Sequence, residues 1–86
     1  MDAAKRVLRV DQSCDARSIE GPEVYQRAVD KLKGMAEDNV LELLIDEGEP
    51  LRTIPFALRA EGHEIVISEP AQPGVRLLVR KRSLLT

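Results

Sequence analysis

The position at which the hydrophobic period changes constrains this chain more than any other feature. From Pro22, apolar residues recur at helical spacing (Tyr25, Ala28, Val29, Leu32, Met35, Ala36), with Glu23, Gln26, Arg27, Asp30, Lys31 and Lys33 on the other side. The segment "NVLELLID" that follows is rich in Val, Leu and Ile, is bounded by acidic turns, and reads as a strand. An amphipathic helix ahead of such a strand predicts a helix packed on a sheet. Pro22 suits the first helical turn, where its missing N–H has no partner to lose. Gly34 weakens the last turn by about 1 kcal/mol relative to Ala.

The rest of the chain extends this pattern. "RVLRVD" alternates and predicts a first strand, with "QSCDARSIEG" as the polar loop after it. "PLRTIPFALRAEGH" predicts a second helix with Leu51, Ile54, Ala57 and Leu58 as its buried stripe and Gly62 as its stop. Pro55 either opens the regular part of this helix or kinks it. "EIVISE" and "VRLLVRK" predict two more strands joined through the turn-forming "PAQPG". The order is β-α-β-α-β-β. The expected fold is therefore α+β, a two-layer sandwich with both helices on one face of a four-stranded mixed sheet. At 86 residues, 43% hydrophobic and 33% charged, the chain is expected to be one folded domain spanning 1–86.

Composition disfavours several classes of function. With Tyr25 and Phe56 as the only aromatics there is no stacking platform for bases, and a formal net charge of -2 offers no general attraction to phosphates. Cys14 is the sole cysteine, which precludes an internal disulfide. No apolar run reaches the ~20 residues of a membrane span, and "MDAAKRVLRV" is not a signal peptide, so a cytoplasmic location is expected. No cofactor pocket, phosphate loop or catalytic triad is visible, and no metal or cofactor is expected.

In "DARSIEGPEV", Asp15, Arg17 and Pro22 match the motif Asp-x-Arg-Gly-x-x-Cys-Pro-x-Pro, which opens the first helix of the TusA/SirA-like sulfur carriers. "VLELLIDEGEP", "TIP", "EGHEI" and "LLVRK" resemble later segments of that family in the same order, so the resemblance runs from about Val7 to Lys81. It implies the β-α-β-α-β-β sandwich and a place in sulfur relay. Three positions depart from the motif: Ser18 stands for its Gly, Val24 for its second Pro, and Gly21 for the sulfur-bearing Cys. A persulfide carrier needs a thiolate, favoured at a helix N-terminus by free N–H groups and the helix dipole. Gly21 has no atom to bear the sulfur. What the resemblance leaves is a surface, with Arg17, Gly21 and Pro22 as candidates for holding an anion or a partner.

Other residues carry competing readings. Cys14 is a relocated nucleophile or, more simply, a small packing residue. Asp15 reads first as a turn cap. His63, after Gly62, reads as a cation at a helix end. Glu42, Asp46, Glu47 and Glu49 read as a solvated acidic region and lack the spacing of a calcium loop. Arg80, Lys81 and Arg82 form a basic patch that either binds RNA or an acidic partner or protects an edge strand. Tyr25 and Phe56 are expected on the core faces of their helices. The leading expectation is a non-catalytic adaptor or regulator that docks a protein partner and is linked to sulfur-transfer or redox pathways. A sulfur carrier or thiol-redox protein using Cys14 is the alternative, and RNA binding, by fold analogy, a second one.

Overall fold

The computed structural model describes residues 9–82. The elements are β1 (Gln12–Asp15), α1 (Gly21–Lys33), β2 (Val40–Ile45), α2 (Glu49–Ala60), β3 (Glu64–Pro70) and β4 (Val75–Arg80). They form one four-stranded sheet in the order β1-β2-β4-β3. β1 and β2 pair in parallel, whereas β4 is antiparallel to both β2 and β3. The sheet is therefore mixed. α1 links the parallel pair β1 and β2, and α2 links β2 to β3, with β4 inserted between those strands.

Strand alternation decides which side chains meet the helices. Leu41, Leu43 and Ile45 of β2 and Val75, Leu77 and Val79 of β4 form one cluster with Val24, Ala28 and Leu32 of α1 and Ile54 and Leu58 of α2. Each buried Val, Leu or Ile among them contributes roughly 1.5–3 kcal/mol by leaving water. The other sheet face carries the alternate residues. Ser13 donates to Glu42 at 2.8 Å, and Arg76 bridges Glu42 at 2.6 Å and Glu69 at 2.7 Å. The Arg76 guanidinium and then Ser13 hold the Glu42 carboxyl below its usual range. Leu78, flanked in its strand by Arg76 and Arg80, is nonetheless only 2% exposed.

The structure corrects several expectations. β1 lies within the segment read as a polar loop; Arg9 and Val10 are not in a strand, and the earlier part of "RVLRVD" falls outside the described residues. Parallel pairing with β2 selects Gln12–Asp15, where Cys14 alone turns toward the core cluster. α1 stops at Lys33 with Gly34 as its C-cap, so Ala36 is exposed beyond the helix although Met35 is still buried. α2 starts at Glu49, which puts Pro55 inside the helix and not at its start. Phe56 is 73% exposed on the outer face of α2, not in the core. β4 lies inside the sheet, so the charges at its end protect no edge.

The far ends of both helices are closed. Lys81 Nζ donates to the carbonyls of Leu32 at 2.6 Å and Met35 at 3.1 Å, placing a cation at the negative end of α1. α2 ends in a Schellman motif: His63 N–H donates to Leu58 O and Gly62 N–H to Arg59 O. Gly62 sits at φ 100°, a conformation that side chains resist.

Candidate functional site

Because β1 and β2 are parallel, α1 and α2 begin at the same edge of the sheet. Between their first turns runs a groove of about 540 Å³, lined by Glu20, Gly21, Pro22 and Tyr25 from the α1 side and Glu49, Pro50, Thr53, Ile54 and Ala57 from α2. Ligands of parallel α/β units gather at this edge, outside the carboxyl ends of the strands. The sequence marks both walls alike, with "EGPE" at the start of α1 and "EGEP" at the start of α2. In the sequence the first reads as a helix entry and the second, with Glu47 and Glu49, only as a solvated acidic region, so the second wall was missed.

Gly21 is the first residue of α1 and borders the groove. A Cβ placed on it meets nothing within 4 Å, and its backbone is not left-handed. Neither space nor conformation demands glycine there. Donors at this turn are few. Pro22 has no N–H, and the N–H groups of Glu23 and Val24 both donate to Glu20 O at 3.0 Å. Among the described residues this leaves the Gly21 N–H as the one unpaired donor of that turn. Neither helix start has a side-chain cap. The carboxylates of Glu20 and Glu49, which have no ion pair among the described residues, stand at these positive helix ends, where negative charge is favoured. The groove thus combines an apolar floor with an acidic rim, a surface suited to an apolar segment flanked by basic groups and poorly suited to a free anion.

The loop before α1 is fastened from three sides. Arg17 Nε and Nη2 donate to the two oxygens of Asp15 at 2.9 and 2.7 Å, Arg17 N–H donates to Asp15 Oδ1 at 3.2 Å, and Nη1 donates to Pro73 O at 3.0 Å. The Arg17 side chain, then its backbone N–H, lowers the Asp15 pKa from 3.8 to about 2. Arg17 lies outside the groove, with three of its N–H groups committed to Asp15 and Pro73. It acts as a clasp joining β1 to the β3–β4 turn. Beneath it, Gly74 at φ 92° packs against the Ile45 carbonyl and the Arg17 stem, where a Cβ would collide with backbone. Ser18 takes φ 67°, and its N–H donates to Asp46 Oδ2 at 2.8 Å.

The remaining candidates are scattered. Cys14 is half-buried and borders a separate hollow with Arg27, Asp30 and Lys31, well along α1 from Gly21 and Pro22. Arg80 pairs with Glu64, Lys81 turns to the carbonyls of α1, and Arg82 reaches Asp38 and Glu64 at 3.6 Å. Arg80 and Arg82 share Glu64 while Lys81 turns away to the helix, so each of the three cations is engaged within the fold. His63 Nδ1 accepts the Arg82 N–H at 3.0 Å, and burial followed by Lys81 pushes its pKa below 6.5. His63 is therefore a neutral acceptor, and the helix-end cation is Lys81, on α1. Tyr25 donates to Glu61 at 2.7 Å, which joins the two helices and raises the phenol pKa. Among the described residues no three His, Cys, Asp or Glu side chains are grouped to hold a metal, and no helix is long and apolar enough to cross a membrane. No protein-family model matches the chain.

Proposed function

We propose that this chain is a non-catalytic TusA/SirA-like protein that works as an adaptor or regulator in sulfur transfer or redox chemistry, docking a protein partner in the groove between the starts of α1 and α2. The observation that carries this reading is Gly21. It stands at the head of a helix, beside a groove, with room for a side chain and no atom to bear sulfur. Two features of the preceding loop support it. Ser18 is left-handed at the position where the resembled motif has Gly, and Asp15 and Arg17, which match that motif, clasp each other. In a sulfur carrier the sulfane atom passes from a donor persulfide to the acceptor thiolate, and the donor leaves as a thiolate. Without a thiolate at position 21 the protein occupies the partner and receives nothing.

The test uses a cysteine desulfurase with cysteine as the donor and intact mass as the readout. The wild-type chain is expected to gain no sulfur, whereas Gly21→Cys combined with Cys14→Ser gains it. The wild-type chain is also expected to slow loading of a competent carrier in proportion to its concentration, and Gly21→Trp, which obstructs the groove, to relieve that inhibition. A sulfur gain by the wild-type chain that disappears on Cys14→Ser overturns the non-catalytic reading. Loading that proceeds at the same rate with and without excess protein overturns the docking reading.

A further inference from the structure

Every described arginine except Arg52 and Arg59 has a carboxylate partner, from Arg9 with Asp11 to Arg82 with Asp38 and Glu64. The two exceptions lie on α2, with Phe56 between them at 73% exposure. At 3.6 residues per turn, positions 52, 56 and 59 fall on one stripe of the helix, and Glu49, one turn before Arg52, lies beside them. The Glu49 carboxylate has no partner among the described residues, so the outer face of α2 presents an unpaired acid, two unpaired guanidiniums and an exposed ring.

We infer that this face binds a second copy of the same chain, with the two α2 helices antiparallel across a two-fold axis. The spacing makes the face self-complementary. Glu49 and Arg59 are equidistant from position 54, and so are Arg52 and Phe56. An axis at that level sets Arg59 against Glu49 of the partner subunit and Arg52 over the ring of Phe56 of the partner subunit, with both contacts repeated by symmetry. Charge pairing and cation–π attraction then act together, and antiparallel helices oppose their dipoles. Aromatic and arginine side chains are the residues most enriched at such contacts. The net charge of -2 favours this occupant over nucleic acid. A helix of 12 residues is only about 18 Å long, so the contact falls below the ~1,200 Å² of a standard interface and the dimer is weak. This inference does not rest on the reading of the Gly21 groove, although Glu49 stands on both surfaces.

Sedimentation velocity from about 10 μM to about 1 mM, a range matched to a contact of this size, tests it. The wild-type chain is expected to shift from monomer to dimer across that range, and added salt to weaken the shift. Phe56→Ala, Arg59→Glu and Glu49→Arg are each expected to remain monomeric while keeping the wild-type circular dichroism. The double variant Glu49→Arg with Arg59→Glu restores both ion pairs across the axis and is expected to dimerise again. A wild-type chain that stays monomeric at the highest concentration overturns the inference. So does a dimer that survives Arg59→Glu, or a double variant that stays monomeric.

Discussion

Gly21 and Gly74 lie at the same end of the sheet, one opening α1 and the other closing the β3–β4 turn. A side chain on Gly74 would run into the Ile45 carbonyl and press on the Arg17 stem, and its φ of 92° is one that side chains resist. A side chain on Gly21 would meet nothing within 4 Å. Lack of a side chain thus has opposite meanings at the two sites. At Gly74 it lets the turn pack against β2 and anchors the loop that leads to α1. At Gly21 it leaves a built surface chemically blank.

Substitution is the most direct way to break this contrast. Gly74→Ala is expected to cost about 3 kcal/mol or more, since it combines a steric clash with a disfavoured φ; thermal unfolding should show Tm falling by roughly 15 °C. A Gly74→Ala protein with wild-type Tm would mean that the turn is free to move away from β2.

The clasp that holds the same loop answers to pH. The Asp15 pKa is depressed in the fold, so the pair contributes stability that is present above 3.8 and lost as pH falls toward about 2. His63 acts in the same direction at higher pH: its folded pKa lies below 6.5, so protonation opposes folding and stability drops as pH falls through and below that value. Denaturant titrations across pH should show both limbs. Asp15→Asn shrinks the lower limb, to which Glu42 also contributes, and leaves the upper one, whereas His63→Gln removes the upper.

Smaller effects sharpen the contrast. Ser18→Gly, at φ 67°, is expected to stabilise by about 0.5–1 kcal/mol because it relieves a left-handed residue while keeping the N–H bonded to Asp46. Gly21→Ala should stabilise by no more than about 0.5 kcal/mol, the helix-propensity gain at a first-turn position with free space. Urea midpoints measure both, and a loss of stability on Gly21→Ala would show that position 21 needs its glycine after all.

The sequence made the layers and the order of elements readable because α1, β2, α2 and β4 bury whole faces, and burial imposes period. β1 was misplaced for the complementary reason. It is a four-residue edge strand whose residues, apart from Cys14, are exposed, so backbone pairing with β2 defines it and hydrophobicity does not. Phe56 shows the converse error, an aromatic assigned inward by type that the helix turns outward. At the site, the α1 wall of the groove was visible through Gly21 and Pro22, whereas the α2 wall depends on two parallel strands bringing distant helix starts together. Arg17 and Lys81 looked like free cations for a similar reason. Asp15, two residues before Arg17, is a local partner, but Pro73 and the Leu32 and Met35 carbonyls lie far along the chain and on the backbone, where side-chain patterns carry no signal.

β4 lies between β2 and β3 although it follows both in the chain. During synthesis the two helices and the first three strands leave the ribosome before the strand that joins them exists. Until residue 80 is out, β2 has a neighbour on one side only and β3 has none, each with an open row of backbone donors and acceptors. The sheet can close only once β4 is available, through contacts between distant parts of the chain, and until then its open strands are exposed to wrong partners.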